Sequence, residues 1–306
     1  MRLAFITLHY KNLNDTSGLL ASLRACLVPK STDVSVYVVD NDGSPALAEV
    51  IKKDFPNVFL LSPGRNLGFA AGNNYGLKKA ITDGNDILVC INNDTYVEKD
   101  FIKQIIESPI KEAGVGAVGG LIYFAPGFEF KKDYPKKDLG KVIWYAGGDF
   151  DWNNILGSNT HVDEVDHGQF KKVSDTAFVT GALLITRADV LSKVGLFDEK
   201  YFMYLEDVDL CHRLKLAGYS LLFDPKIKMW HKVAQSSGIG SSLNDYFITR
   251  NRLYFGAKYA RPRTKFALLR EALKKLLIGT PAQKHAIRDF FMGNIHPNIH
   301  PTGVLA

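Results

Sequence analysis

Short apolar runs alternate with amphipathic stretches through the first 125 residues of the chain. The runs are rich in β-branched residues and have the length of strands, whereas the stretches between them carry the three-to-four-residue spacing of a helix. Strands are therefore predicted over 3–8, 34–40, 58–61, 87–91 and 115–123, and helices over 15–28, 45–54, 68–82 and 98–108. Because such alternation builds a mostly parallel sheet covered on both faces, the pattern predicts an α/β protein.

Beyond residue 124 the pattern loses its regularity. Residues 124–172 mix proline, glycine, lysine and aromatic residues without a clear period, which predicts a long insertion containing a hairpin. The apolar run at 177–186 then marks a return to the core. A helix is predicted over 207–217 with Gly218 as its left-handed cap, followed by two short strands over 220–223 and 227–230.

Polar residues stand where the predicted strands end. Asp40 and Asn41 follow the second strand, and Asn92, Asn93 and Asp94 follow the fourth. In open α/β sheets, ligands bind at the carboxyl ends of the strands. The sequence thus predicts a binding site along this edge of the sheet.

Composition narrows the class of protein. The 306 residues are 46% hydrophobic and 23% charged, which is typical of a soluble globular chain. No run approaches the ~20 apolar residues that span a bilayer, and the first apolar run is too short for a signal peptide. Cys26, Cys90 and Cys211 have neither zinc nor disulfide spacing, so we expect a protein of the cytoplasm.

The net charge of +6 is concentrated near the C-terminus. Residues 250–292 hold eleven Lys and Arg against two acids, whereas the rest of the chain has 27 basic and 30 acidic residues. This change predicts a catalytic domain over 1–250, which includes the insertion at 124–172, and a basic helical extension over 251–306.

Within this extension, one predicted helix at 265–278 carries an apolar stripe flanked by basic residues, made by Phe266, Leu269, Leu273, Leu276 and Leu277. A basic amphipathic helix can lie on an anionic membrane surface. It can equally pack on the catalytic domain or on a second subunit. The sequence therefore leaves two possibilities open for this extension. One is a peripheral contact of 262–292 with the inner face of the cytoplasmic membrane, and the other is a homodimer contact.

Two segments rich in glycine and asparagine follow strand ends. In VDNDGS, the carboxylate of Asp40 can accept hydrogen bonds from a base or a ribose, or it can close a turn. In PGRNLGFAAGNNYG, three glycines recur every fourth residue and permit close helix packing. The start of that helix, with Arg65 nearby and Asn73 in reach, can also meet a phosphate. The spacing is not that of a dinucleotide fingerprint.

The remaining candidates are acids and one histidine. Asp94, with diphosphate oxygens and water, can bind Mg²⁺ or Mn²⁺, or its segment can form an Asx turn. Glu206, Asp207 and Asp209 open a helix, where carboxylates favour the dipole. All three cannot cap it, so one can serve as a general base. His231, after the last short strand, is either structural or a metal or diphosphate ligand.

In their order along the chain, these segments resemble glycosyltransferase family 2 of the GT-A fold, especially the branch of bacterial rhamnosyltransferases and galactofuranosyltransferases. VVDN is followed by RNLGFAAGNNYGL, INND, VTGALLITRADVLSKVGLFDEKYFMYLEDVDLCHRLKLAGY and WH. The resemblance covers residues 1–255. It implies a mixed, mostly parallel central sheet flanked by helices, to which the C-terminal helices are appended.

The resemblance also implies roles for particular residues. It assigns nucleotide-sugar binding to the strand ends and the glycine-rich segment: Asp40, Asn41, Arg65, Asn66, Gly68, Phe69, Asn73, Asn92, Asn93, Asp94 and Glu206. Asp40 would contact the pyrimidine or ribose. Asp207 matches the catalytic base, and His231 matches a histidine that contacts metal or diphosphate.

Residues 92–94 take the place of the family's D-x-D motif, with Asp94 as the ligand of a divalent cation, Mg²⁺ or Mn²⁺. Asn92 stands where many members have Asp. Only one carboxylate then serves the metal, and we expect its affinity to be lower.

The function that this resemblance implies is inverting transfer of rhamnose or another hexose. The donor would be a dTDP- or UDP-sugar, and the acceptor a saccharide or lipid-linked saccharide of bacterial cell-surface polysaccharide synthesis, with the insertion on the acceptor side. A sugar-nucleotide nucleotidyltransferase is an alternative, but residues 6–10 lack its glycine-rich loop. A non-catalytic nucleic-acid-binding module would explain the basic tail and not the acidic helix start. We expect no nucleic acid partner.

Overall fold

A computed structural model describes residues 1–131, 133–233 and 241–294. Position 132 of the predicted insertion and residues 295–306 of the predicted extension lie outside the described residues.

Strands of the described chain form one large mixed sheet and one separate hairpin. In chain order the strands are β1 Arg2–His9, β2 Asp33–Asp40, β3 Val58–Leu61, β4 Ile87–Ile91, β5 Thr95–Val97, β6 Val115–Phe124, β7 Ile143–Tyr145, β8 Gly148–Asp151, β9 Leu156–Asn159, β10 Ser174–Asp175, β11 Leu183–Arg187 and β12 Ser220–His231. The separate hairpin consists of β8 and β9 and lies in the predicted insertion.

The helices flank this sheet and close the C-terminal side. They are α1 Leu13–Arg24, α2 Pro45–Asp54, α3 Gly68–Thr82, α4 Phe101–Glu107, α5 Ala188–Val194, α6 Glu206–Leu216, α7 Ser242–Tyr259, α8 Pro262–Ile278 and α9 Pro281–Phe291. The bounds of α2, β3, α3 and β4 agree with the sequence prediction, because each has a clear apolar period and a polar or glycine boundary. Within the described ranges, none of the helices combines the length and apolar character that crossing a bilayer requires.

The main sheet has the order β10-β12-β6-β11-β4-β1-β2-β3. Strands β3, β2, β1 and β4 are parallel, as are β6 and β12, whereas β11 runs antiparallel between β4 and β6. The predicted mixed, mostly parallel sheet flanked by helices is therefore confirmed. Parallel pairing places the ends of β1, β2 and β4 at one edge, where the polar residues stand.

Strand β12 differs from the prediction of two short strands over 220–223 and 227–230. It is one strand whose register against β6 shifts between Asp224 and Lys228. Pro225 lacks an N–H for the ladder, and Asp224 Oδ1 accepts the N–H of Lys226 across the bulge. The far end of β12 pairs antiparallel with β5, with His231 opposite Thr95.

The C-terminal helices share their core with the sheet. Leu253 and Phe255 of α7 and Leu268 of α8 belong to the same buried cluster as the strands. Residue 250, where the composition changes, lies inside α7, and its side chain is fully buried. The division into 1–250 and 251–306 stays a prediction.

Candidate active site

Two adjoining cavities open at the carboxyl edge of the sheet. The first, here called the α3 cavity, has a volume of about 400 Å³ and lies between the ends of β1, β2 and β4 and the start of α3. The second, here called the α6 cavity, has a volume of about 420 Å³ and lies before the start of α6 and beside β9. Four residues line both cavities: Phe69, Asn92, Asp94 and Met203.

Asn41 and Asn66 fix the loop that leads into α3. The Asn41 amide donates to the carbonyl of Gly68 over 3.0 Å, and Asn66 Oδ1 accepts the Gly68 N–H over 2.8 Å. Gly68 has φ +75°, and a Cβ there would come within 2.5 Å of the Phe202 ring. The position therefore requires glycine for both its backbone conformation and the close approach of that ring.

Phe69 and Asn73 continue this wall into the first turns of α3. The Asn73 amide donates to the Phe69 carbonyl over 3.0 Å, and the Phe69 N–H donates to the Phe202 carbonyl over 2.7 Å. The structure thus brings together five predicted residues in one cavity wall: Asn41, Asn66, Gly68, Phe69 and Asn73.

Asp40 and Arg65 do not line either cavity in the described chain. The Asp40 carboxylate accepts the N–H groups of Asp42, Gly43 and Ser44, over 2.9–3.0 Å. This geometry matches the turn interpretation of that residue. Arg65 is exposed beside the loop. Their contacts with a nucleotide stay predictions.

The loop after β4 places Asp94 against His231. Oδ1 of Asp94 lies 3.0 Å from Nε2 of His231, and the Asn92 amide nitrogen lies 3.4 Å from the same Nε2. Asn93 instead donates to Thr16 Oγ1 over 3.0 Å, although it still lines the α3 cavity. Asp94 and His231 are both buried, so the wall between the cavities holds a carboxylate, an imidazole and an amide.

This donor set fits a divalent cation. Carboxylate and amide oxygens suit Mg²⁺ or Mn²⁺, and an imidazole favours Mn²⁺ of the two. The other ring nitrogen of His231, Nδ1, is buried with no hydrogen-bond partner among the described residues. In 1–131, 133–233 and 241–294, no three His, Cys, Asp or Glu side chains are grouped so that they could hold a metal ion by themselves. A cation here would therefore need substrate oxygens to complete its coordination.

Asp207 lies at the first turn of α6, in the wall of the α6 cavity. Oδ2 accepts the N–H of Gly181 over 2.8 Å, and Oδ1 accepts the N–H of Val208 over 2.8 Å. Burial raises the pKa of this carboxyl despite those hydrogen bonds. A carboxylate with a raised pKa, held by backbone groups in a cavity, has the properties of a general base.

Glu206 lines the same cavity and is only 5% exposed. Its Oε2 has no hydrogen-bond partner among the described residues. Burial, and then the neighbouring charge of Asp207, raises the pKa of Glu206 well above its ordinary value. Two buried neighbouring carboxyls do not both ionise readily, so the pair favours one shared proton, carried by Glu206.

The third acid of this helix has a structural position. Asp209 is fully buried and lies 2.7 Å from both Arg213 Nε and Lys258 Nζ, while it accepts the hydroxyl of Tyr259 over 2.9 Å. Within the described part of the chain, Asp209 lines neither cavity. Asp209 therefore joins α6 to α7.

Several lining residues escaped the sequence analysis. Tyr10 and Lys11 follow β1, so the strand-end rule that found Asn41 would also have found them. Others come from α7 and the insertion, including Leu243, Phe247, Trp144 and Leu156, and no local motif marks them. They reach the site through tertiary packing.

Solved structures establish the class of fold. The crystal structure of GalNAc-T7 with UDP, GalNAc and Mn²⁺ matches with a TM-score of 0.68 at 16% identity, over 94% of this chain and 54% of that one. The mannosyltransferase PcManGT from Pyrobaculum calidifontis, in complex with GDP-Man and Mn²⁺, matches with a TM-score of 0.55 at 14% identity, over 99% and 77%. This chain spans about half of the first protein. The fold is GT-A, the fold of nucleotide-sugar transferases.

The family follows from the sequence comparison. The family described as "Glycosyltransferase like family 2" matches residues 11–256, and the chain belongs to it. The N-acetylglucosaminyl-diphospho-decaprenol L-rhamnosyltransferase of Mycobacterium tuberculosis is 27% identical over 67% of this chain and 68% of its own. The dTDP-rhamnosyl transferase RfbF of Shigella flexneri is 24% identical over 97% and 86%. The resemblance is confirmed, and the protein is a glycosyltransferase of the hexosyltransferase class.

Proposed function

We propose that this protein is an inverting glycosyltransferase that moves rhamnose or another hexose from a dTDP- or UDP-linked donor to a saccharide or lipid-linked saccharide in bacterial cell-surface polysaccharide synthesis. The observation that carries the proposal is the pair of cavities that share Asp94, one of which contains Asp207. Two relatives are named as rhamnosyltransferases, one for a dTDP-linked sugar and one for a diphospho-decaprenol acceptor, which supports both substrates.

The α3 cavity binds the nucleoside diphosphate. Its polar lining includes Asn73 and the cationic side chain of Lys11, and it lies at the N-terminal end of α3, where the positive end of the helix dipole favours an anion. Asp94, His231 and Asn92 would hold a divalent cation at the wall between the cavities. When bound, the cation would neutralise negative charge on the diphosphate.

The α6 cavity binds the acceptor. Asp207 accepts the proton of an acceptor hydroxyl as its oxygen bonds to the anomeric carbon, and the bond from that carbon to the diphosphate oxygen breaks with its electron pair on the leaving group. A single displacement from the opposite face inverts the anomeric configuration. Glu206 keeps its proton and donates a hydrogen bond to a substrate oxygen, which leaves Asp207 ionised.

A lipid-linked acceptor calls for a contact with the membrane surface, and α8 offers one. Thr264, Leu268 and Ala272 pack inward, whereas Phe266, Leu273 and Leu277 are 68%, 54% and 78% exposed. Basic residues accompany this exposed apolar face, namely Arg261, Arg263, Lys265, Arg270 and Lys274. Apolar and cationic groups together suit an anionic lipid surface at the inner face of the cytoplasmic membrane.

Vesicle flotation tests this contact. The full chain should float with anionic vesicles and less with neutral ones, and the double variant Leu273→Ser/Leu277→Ser should lose flotation. Leu216→Ser, at the exposed end of α6, is the matched control. A change of oligomeric state without any flotation would favour the homodimer instead.

A donor panel tests the function itself. The purified protein would be incubated with dTDP-rhamnose, UDP-hexoses and GDP-mannose, each with and without Mn²⁺, together with a polyprenyl-diphosphate-linked sugar. We expect release of dTDP or UDP and formation of a glycosylated lipid. The new glycosidic bond should have the anomeric configuration opposite to that of the donor. Failure of every donor, with no nucleotide binding, would overturn the proposal.

A further inference from the structure

The segment from Phe202 to Leu205 connects the two cavities. Phe202, Tyr204 and Leu205 have φ values of 62°, 68° and 66°, in the left-handed region that residues with a Cβ rarely adopt. Three such residues in four positions need support from the surrounding structure, because each is strained on its own.

Both cavities depend on this segment, here called the 202–205 loop. Phe202 and Met203 line the α3 cavity, and Met203, Tyr204 and Leu205 line the α6 cavity. The Phe202 carbonyl accepts the N–H groups of Phe69 and Ala70 at the start of α3, over 2.7 and 3.0 Å. Directly after the loop come Glu206 and Asp207. Its conformation therefore sets the distance between the nucleotide wall and the base.

Helix α7 supplies the support through Asn251. The Asn251 amide nitrogen lies 3.0, 2.7 and 2.8 Å from the carbonyl oxygens of Tyr201, Met203 and Tyr204 and donates to them. A strand or helix would satisfy these carbonyls within itself, but a left-handed loop turns them toward α7. The buried Asn251 amide thus supplies hydrogen bonds to backbone carbonyls that a regular strand or helix would bond internally.

Arg250 completes the contact. Its Nη2 donates to the carbonyls of Lys200 and Tyr201 over 2.9 and 2.8 Å, and its Nε donates to Asn251 Oδ1 over 3.0 Å. The last bond orients the Asn251 amide so that its nitrogen faces the loop. Arg250 and Asn251 are both fully buried.

Burying Arg250 is costly. No carboxylate pairs with it among the ion pairs of the described residues, and burial lowers its pKa. Its guanidinium lies 4.9 Å from the centre of the Phe247 ring, and its Nη2 bonds the carbonyls of Lys200 and Tyr201, which directly precede the 202–205 loop. Two apolar residues would fill the same space without this penalty, but they would offer no N–H donor to the carbonyls that Arg250 and Asn251 bond.

We propose that Arg250 and Asn251 are positioning residues that hold the 202–205 loop, and through it Asp207 and the wall formed by Phe202, in the geometry needed for transfer. The inference rests on the proposed function. Sugar transfer requires base, acceptor and anomeric carbon to be aligned, and small displacements reduce rate strongly.

The test uses Asn251→Asp and Arg250→Lys in the full chain. Asn251→Asp keeps an acceptor for Arg250 Nε but replaces the amide donor with a carboxylate oxygen that repels the carbonyls of Tyr201, Met203 and Tyr204. Arg250→Lys keeps the positive charge and removes the planar group that bonds both the backbone and Asn251. The matched control is Arg252→Lys, because Arg252 lies on the same helix and bonds Glu271 and the Asn154 carbonyl, away from the loop. The kcat and the hydrogen exchange of each protein are measured well below its Tm, and kcat is calculated from the concentration of folded protein.

We expect kcat to fall about 10- to 100-fold in both variants and to stay within about 2-fold in Arg252→Lys. Hydrogen exchange should also quicken in peptides covering 66–72 and 200–208, a readout that does not depend on activity. A lower Tm with unchanged kcat and unchanged local exchange would overturn the inference. If Asn251→Asp does not fold, Arg250→Lys decides on the same readouts.

The experiment distinguishes failure of the positioning role from failure of the proposed glycosyltransferase function. If the wild-type protein transfers no sugar from any donor and binds no nucleotide, the proposed function is wrong, and hydrogen exchange alone then decides whether Arg250 and Asn251 position the loop. If the wild type is active and the variants match it, only the positioning role is wrong.

Discussion

Oδ1 of Asp94 lies 3.0 Å from Nε2 of His231, although the two residues are far apart in the sequence. The contact follows from the pairing of β5 with β12, which places Thr95 opposite His231. The N–H of Lys232 also donates to the Asp94 carbonyl over 2.9 Å, which fixes the backbone. A carboxylate and an imidazole therefore meet at the wall between the two cavities.

Asp94→Asn should weaken cation-dependent nucleotide binding by at least about 10-fold, because it removes the carboxylate of the donor set. Titration calorimetry with dTDP or UDP, with and without Mn²⁺, measures the effect. Asp175→Asn on β10 is the control, since its exposed carboxylate lines neither cavity. Wild-type affinity in the Asp94 variant with Mn²⁺ would remove Asp94 from the metal site.

Glu206→Gln should retain kcat within about 3-fold at neutral pH, because glutamine resembles the protonated form of a carboxyl whose pKa burial raises. In both proteins kcat should rise with pH through a pKa above the ordinary ~3.9 of aspartate, as Asp207 ionises. A kcat profile from pH 5 to 9 checks both expectations. Loss of nearly all turnover in Glu206→Gln would mean that catalysis requires Glu206 in its ionised form.

The same variant should alter stability in a pH-dependent way. A carboxyl with a raised folded-state pKa binds its proton more tightly when folded. Its stabilisation is complete below the unfolded value of ~4.3 and is lost as pH rises through the folded value. Glu206→Gln should therefore have a higher Tm than wild type at pH 8, with the gain vanishing toward pH 4.

Thermal unfolding at several pH values measures this gain. Glu107→Gln, at the exposed end of α4, is the control and should show no such trend. A gain of equal size at every pH would mean that Glu206 does not carry a raised pKa.

Gly68→Ala should destabilise the protein by about 2 kcal/mol or more and weaken nucleotide binding, because a methyl group would collide with the Phe202 ring at 2.5 Å. Gly64→Ala is a matched control, since Gly64 has φ +78° but no atom of the described residues lies within 4 Å of the added Cβ. It should show only the backbone cost of about 1 kcal/mol. Urea unfolding and nucleotide titration would distinguish the two, and equal effects would contradict the steric account.

The sequence predicted the first half of the fold well because its elements are locally encoded. Strand β4 is a continuous buried run, and the glycines of α3 mark where that helix packs closely: a Cβ at Gly76 would meet Ile6 at 2.6 Å. Strand-end polarity then placed Asn41, Asn92 and Asp94 correctly at one edge. These features depend on neighbours in the chain or on a general rule for parallel sheets.

What the sequence did not reveal depends on long-range contacts. Helix α7 begins at Ser242 and buries Arg250 and Asn251, so it lacks the clean apolar stripe that predicts a core-facing helix. Arg250 looked like part of a basic tail because charge counts do not distinguish buried from exposed cations. The 202–205 loop contains no glycine that would signal its left-handed backbone.

We assign nucleotide binding and proton removal to separate, adjoining cavities, with Asp207 as the base. Asp207→Asn tests this assignment most directly, with Asp189→Asn at the exposed start of α5 as the control. In one preparation of each protein, the Kd of the nucleoside diphosphate with Mn²⁺ and the rate of sugar transfer would be measured. We expect Asp207→Asn to have an unchanged Kd and a transfer rate reduced about 10³-fold. A near-normal transfer rate in that variant would contradict this assignment.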